Sequence, residues 1–202
     1  MKELKKRIIG LTGGIGTGKT TVSNYLADTY QLPILDADIY AREAVEPGSQ
    51  ILNQIFKRYG VNVRLPDGTL NRQRLGEIIF NYPTERQWVE QQIHPYVRDR
   101  FQVELSTIDS ATAILVVPLL FEAGMTNLVT EIWVVSCSPE QQIERMIERD
   151  RLSPEQAKTR LDNQLPMPEK IVRADVVLDN ASTLNHLLKQ VDDALTGSRG
   201  NI

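Results

Sequence analysis

One stretch constrains this chain more than any other: Gly10-Leu-Thr-Gly-Gly-Ile-Gly-Thr-Gly-Lys-Thr-Thr-Val22, directly behind the apolar pair Ile8-Ile9. Within it, Gly13-x4-Gly18-Lys19-Thr20 matches the phosphate-binding pattern G-x-x-x-x-G-K-[ST]. Glycines let successive backbone N–H groups turn inward onto phosphate oxygens with no side chain in the way. The helix that follows adds its positive N-terminal end. Lys19 is placed to reach the β- and γ-phosphates, and the Thr20 hydroxyl to ligate Mg2+. Such a loop needs a strand before it and a helix after it. Arg7–Thr12 supplies the first, and 19–30, with Val22, Leu26 and Tyr30 on one face, supplies the second. A dinucleotide fingerprint needs G-x-G-x-x-G, and Gly14-Ile-Gly16-Thr-Gly18 is one residue short of it. The expected triphosphate-binding residues are therefore Gly14, Gly16, Thr17, Gly18, Lys19, Thr20 and Thr21.

The other strand candidates are short, apolar and β-branched: Pro33–Asp36, Thr112–Val117, Glu131–Ser136 and Asp175–Leu178. None alternates cleanly, which fits strands covered on both faces of a parallel sheet. Helical patterns lie between them, so the expected fold is α/β, a doubly wound parallel sheet of five strands. Two intervals break the alternation. Residues 37–110 hold helix patterns at 51–59, 71–80 and 84–105 but no strand, and roughly 70 residues are too many for a bare loop. We read a helical insertion there. Residues 139–164 form a second helical excursion, leaving 1–36, 111–138 and 165–202 as the nucleotide-binding core. The end from Gly197 reads as a frayed tail. Net charge is −3, which argues against a broad nucleic-acid footprint. No apolar run near the N-terminus is long enough for a membrane span or a signal-peptide core, and the single Cys137 allows no intrachain disulfide. A cytoplasmic enzyme is the expectation.

Asp36-Ala-Asp38 follows the second strand, at the sheet edge where the phosphate loop is also expected. A carboxylate there can take a proton from an attacking hydroxyl or order Mg2+ through water. Asp36 also reads as a helix N-cap, which leaves Asp38 for catalysis. Arg42, four residues on, either grips an anionic acceptor or pairs with Asp38. The third strand ends Val116-Val117-Pro118 without an aspartate, and no Asn-Lys-x-Asp motif occurs. Both absences count against mechanical ATPases and regulatory GTPases, and a small-molecule kinase remains. Ser138-Pro-Glu-Gln141 and Ser153-Pro-Glu-Gln156 are two near-identical helix starts. They frame helices bearing Arg145, Arg149 and Arg160, with Arg151 between. Arg145 and Arg149 at i,i+4 are either a solvated face or a lid over a phosphate.

Taken together, the glycine loop, Leu35-Asp-Ala-Asp38 with Ala41-Arg42, His94-Pro95, Pro118-Leu-Leu-Phe-Glu122 and Ala174-Asp-Val-Val-Leu-Asp-Asn180 resemble the dephospho-CoA kinase family. The resemblance spans nearly the whole chain. It implies transfer of the ATP γ-phosphoryl group to the ribose 3′-hydroxyl of dephospho-CoA, with Mg2+, on a nucleotide core, a helical acceptor domain at 37–110 and a lid at 139–164. It also implies Asp38 as base or orienter, Lys19 and Thr20 as phosphate and Mg2+ residues, and Arg149 as the preferred lid arginine beside Arg145. Arg42 becomes a substrate contact, and Asn180 the residue near the ATP adenine. The family pattern expects glycine where this chain has Arg151, a departure that stiffens the lid hinge. Glu122 either packs or faces substrate, His94 bridges two helices of the insertion, His186 lies at the surface, and Trp88 and Trp133 are core residues. Partners are small molecules, ATP and dephospho-CoA. Two rivals stay open: another P-loop kinase acting on nucleosides, shikimate or gluconate, and a nucleotide sensor without catalysis.

Overall fold

The computed structural model describes residues 6–197. The tail expected to fray lies, beyond Gly197, outside the described residues. Five strands form one parallel sheet: β1 (Arg7–Gly13), β2 (Ile34–Asp36), β3 (Thr112–Val116), β4 (Glu131–Ser136) and β5 (Val176–Asp179), in the order β2-β3-β1-β4-β5. β1 is central, with Ile9 opposite Ile114 on β3 and opposite Glu131 on β4. The chain winds out to one side through β2 and β3 and to the other through β4 and β5. The crevice of such a sheet opens at the carboxyl end of the central strand, where the glycine loop begins.

Nine helices accompany the sheet among the described residues: α1 (Lys19–Tyr30), α2 (Ala37–Glu43), α3 (Gln50–Tyr59), α4 (Arg72–Asn81), α5 (Pro83–Thr107), α6 (Pro139–Asp150), α7 (Pro154–Asp162), α8 (Met167–Val172) and α9 (Leu184–Thr196). None is long and apolar enough to cross a membrane. The chain divides into two compact units, one running to Leu35 and again from Ile108, the other Asp36–Thr107.

In the first unit, Ile9, Leu11, Trp133, Val135 and Leu178 from the sheet close a core with Val22 and Leu26 of α1 and Leu187 and Val191 of α9. Burial on that scale explains why the strands show no polar alternation. The hydroxyls of Tyr25 and Tyr30 both donate to Asp192 at 2.8 Å, which pins α1 to α9. That carboxylate pushes the Tyr30 phenol up to about 12. Trp133 is fully buried, and its indole N–H donates to Glu131.

The second unit has its own core, Val45, Leu52, Ile55, Val63, Leu70, Leu75 and Val89. Glu85 fastens α5 to α3 by accepting from Arg58 at 2.6 and 2.9 Å and from the Tyr59 hydroxyl at 2.6 Å, contacts that hold its carboxyl down to about 2. Trp88 is half-buried, with the Arg58 guanidinium 4.6 Å from its ring centroid. His94 lies within α5, which runs unbroken through it, with Pro95 inside the same 25-residue helix. Burial lowers the His94 pKa, with Glu90 opposing.

Two helices escape the sequence pattern. α2 has seven residues and α8 six, fewer than two turns, too short for a 3.6-residue period to declare itself. α7 is short as well, with nine residues. Both serine starts do form capping boxes, Ser138 with Gln141 and Ser153 with Gln156, each with proline in the first turn.

Candidate active site

The glycine loop leaves β1 at Gly13, whose φ of +149° and whose closeness to the Val135 carbonyl exclude a side chain: an added Cβ would lie 2.4 Å from that oxygen. It enters α1 at Gly18, where φ is +101° and an added Cβ would strike the Asn180 amide. No side chain caps α1, so its first backbone donors, backed by the helix dipole, open toward an anion. Thr17 is fully buried and turns its hydroxyl onto the Gly14 carbonyl at 2.9 Å, which staples the loop to itself. Lys19 Nζ donates to the carbonyls of Gly13 at 3.0 Å and Gly14 at 2.8 Å, spanning the loop. Thr20 and Thr21 are exposed in the first turn of α1.

Two sequence-selected residues meet at this loop. Arg145 of α6 donates to the Gly16 carbonyl at 3.1 Å and, through its other amino group, to the Asn180 carbonyl at 3.0 Å. Asn180 donates its side-chain amide to the Thr17 carbonyl at 2.8 Å. Both residues thus brace the loop through its backbone. Burial pushes the Cys137 thiol up, and that thiol accepts from Arg145 at 3.5 Å.

Two further braces carry no sequence signal. Gln164, between α7 and α8, accepts from the Ile15 N–H at 2.9 Å. Gln142 of α6 is buried against Gly14, so close that a Cβ there would stand 2.3 Å from its Oε1. Gly14 and Gln142 line a cavity of about 350 Å3 with Gln164, Leu161 and Met167.

The remaining predicted residues of this unit have partners outside the loop. Arg149 is exposed and donates twice to its neighbour Asp150, at 2.8 and 2.9 Å, which holds the Asp150 carboxyl below its ordinary value. Arg160 lies 3.8 Å from the same carboxylate. Glu122 accepts from the Leu165 N–H at 3.1 Å and lies 2.9 Å from the fully buried ammonium of Lys170.

Arg151 closes α6 in the left-handed region at φ 54°, ψ 38°, the conformation that favours the glycine expected at this position. A non-glycine residue there carries a penalty of about 1–2 kcal/mol. Arg151→Gly removes that strain but gives the unfolded chain more freedom. We therefore expect a net gain of up to about 1 kcal/mol in urea denaturation. A lower urea midpoint would show that the Arg151 side chain holds the hinge in another way.

In the second unit, Asp36 is the N-cap of α2 and accepts from the Asp38 N–H at 2.8 Å. That bond fixes the Asp38 backbone and leaves its exposed side chain at the head of the helix. Asp38 and Arg42 line one cavity of about 410 Å3, floored by aliphatic side chains of α4 and α5. Arg72 of α4, not singled out in the sequence, lines it too and donates to the Arg42 carbonyl at 3.3 Å. Among the described residues, no group of three or more His, Cys, Asp or Glu side chains could hold a metal ion on its own. The Thr20 hydroxyl, exposed on the helix that heads the loop, fits the usual Mg2+ arrangement, in which phosphate oxygens complete a shell holding few protein ligands.

A parallel sheet with a phosphate loop at its central strand, an arginine-bearing helix on that loop and a separate helical unit carrying an aspartate define a P-loop small-molecule kinase. The dephospho-CoA kinase family model matches residues 7–186. A dephospho-CoA kinase of Nostoc sp. (strain PCC 7120) is 60% identical, the alignment covering 95% of this chain and 98% of that one. Among solved structures, one from Thermus thermophilus matches with a TM-score of 0.83 at 32% identity, over 97% of this chain and 99% of that one. A dephospho-CoA kinase from Campylobacter jejuni matches with a TM-score of 0.70 at 27% identity, over 96% and 97%. The chain belongs to the dephospho-CoA kinase family.

Proposed function

We propose that this protein phosphorylates the ribose 3′-hydroxyl of dephospho-CoA with ATP, giving CoA and ADP. The observation that carries the reading is a family match from residue 7 to residue 186, which takes in the glycine loop, the Asp38 helix and the Arg145–Asn180 brace together. The ATP phosphates lie on the backbone donors of Gly14, Gly16 and Gly18 and on the first turn of α1. Lys19 leaves the Gly13 and Gly14 carbonyls for the β- and γ-phosphates. Arg145 and Asn180 keep the loop in shape, with the nucleotide's base beside Asn180. Thr20 would hold Mg2+ beside the phosphates, and the ion would supply charge neutralisation when bound.

Asp38 accepts the proton of the 3′-hydroxyl as the phosphoryl group transfers in line, and Arg42 grips the acceptor's diphosphate. Arg149 gives up Asp150 for the transferring group and acts as the lid arginine, with 139–164 as the lid, 37–110 as the acceptor domain and the rest as the nucleotide core. Glu122 acts indirectly, by holding the Leu165 segment next to the Gln164 that braces the glycine loop. We place the enzyme in the cytoplasm, a setting in which the free, buried Cys137 stays reduced.

The test is ADP release by the purified protein with ATP and Mg2+, with and without dephospho-CoA, and the mass of the product. We expect ADP release to depend on dephospho-CoA and the product to gain one phosphoryl group. Release stimulated instead by adenosine, shikimate or gluconate would keep the kinase and replace the acceptor. No release with any acceptor would favour a sensor.

A further inference from the structure

Gly76 sits inside α4, where glycine destabilises a helix relative to alanine. Two things commonly require such a glycine, a positive φ or a close neighbour. Gly76 has neither: it is absent from the positive-φ residues, and nothing lies within 4 Å of an added Cβ. What lies in front of it is the cavity shared with Asp38, Arg42 and Arg72. Arg72 stands one helical turn before Gly76 and Ile79 nearly one turn after, so these three present one face of α4. The missing side chain keeps that face concave.

We infer that Gly76 is a specificity-determining residue, and that the cavity it keeps open receives the adenine ring of the acceptor nucleotide. The inference rests on the proposed reaction at the 3′-hydroxyl. The cavity is aliphatic in its depth, with Leu75, Val89 and Ile93, and charged at Asp38, Arg42 and Arg72. Its volume of about 410 Å3 lies within the range of small-molecule sites. If Asp38 serves the 3′-hydroxyl, the group entering the cavity is one attached close to that carbon. The base is joined to the same ribose ring, is flat and apolar on its faces, and can lie against a helix backbone where no Cβ projects. The pantetheine arm begins only beyond two phosphates. Those phosphates carry the negative charge that Arg42 and Arg72 complement, Arg72 being held in place by its bond to the Arg42 carbonyl.

The experiment compares wild type with Gly76→Ala and Gly76→Leu. It measures KM and kcat for dephospho-CoA, Kd for ATP and thermal midpoints, and uses dephospho-CoA carrying a 1,N6-etheno base as a second acceptor. Gly76→Leu should raise KM for dephospho-CoA by ~10-fold or more, since even one methylene in an apolar pocket is worth ~10–200-fold. ATP Kd should stay within about twofold, and the thermal midpoint should hold or rise, because a better helix former replaces glycine. In Gly76→Ala, the KM ratio of etheno to natural acceptor should rise by ~5-fold or more, because the larger ring meets the new methyl group first. An unchanged KM in a folded Gly76→Leu protein would overturn the cavity as an acceptor site. A raised KM with an unaltered etheno ratio would overturn the base as its occupant. Wild-type protein that ignores dephospho-CoA altogether would overturn the proposed reaction instead.

Discussion

Asp38→Asn is expected to lower kcat by about two to four orders of magnitude, the usual contribution of a positioned general base, while ATP Kd stays within about twofold. The substitution keeps the size and shape of the side chain but removes its capacity to take a proton. It also leaves the local fold intact, because Asp36, not Asp38, caps α2 and holds the Asp38 backbone N–H at 2.8 Å. An exposed position of this kind should change stability by less than about 0.5 kcal/mol. Asp36→Ala should behave in the opposite way, losing about 1 kcal/mol of stability as the cap disappears. Phosphoryl transfer has a loose transition state that asks for little proton removal early on, so part of the Asp38 effect is orientation of the hydroxyl. An asparagine that still hydrogen-bonds would retain that part, which is why we do not expect complete inactivity. Steady-state kinetics with saturating ATP decide the matter: a kcat within threefold of wild type would remove Asp38 from the reaction.

These residues differ in how far the chain alone announces them. The strands were legible because a parallel sheet buried on both faces demands continuous β-branched runs, and residues 131–136 have no other reading. The glycine loop was legible because its spacing is rigid: Gly13, Gly16 and Gly18 combine positive φ with a close neighbour, and Gly14 has a close neighbour alone. Asp36 as a cap followed from its place between a strand and a helix. Gln142, Gln164 and Lys170 left no trace, since each acts across a long sequence separation from one polar residue in an unremarkable segment. The sequence points to Arg145 and Asn180 as nucleotide contacts, but only the folded chain shows that their own hydrogen bonds run to the loop's carbonyls. Gly76 was visible as a glycine in a helical pattern, but that observation acquires meaning only once the space before it is known to be empty.

Lys170 carries the largest stability effect we expect. Its side chain is completely buried, and its ammonium lies 2.9 Å from one Glu122 oxygen, off the line of a well-directed hydrogen bond. The contact is therefore Coulombic, and the same oxygen also accepts from the Leu165 N–H. Glu122→Gln keeps the volume and an acceptor for Leu165 but strands a buried positive charge. Breaking a buried pair from one side costs about 3–5 kcal/mol. Because Glu122 is 26% exposed, water can relieve some of this, and the lower end, about 3 kcal/mol, is the expected loss in urea denaturation. Combining Glu122→Leu with Lys170→Met removes both charges and should recover most of that loss, since apolar replacements of a buried pair are often neutral. The pair would then be a fastening between the segment after β3 and α8, next to the Gln164 that holds the glycine loop through Ile15. On that account Glu122→Gln raises KM for both substrates together, through a loosened loop, whereas a Glu122 that touches the acceptor would raise KM for dephospho-CoA alone. A stability loss below about 1 kcal/mol, or a double variant no firmer than the single one, would mean that Lys170 finds other relief in the core.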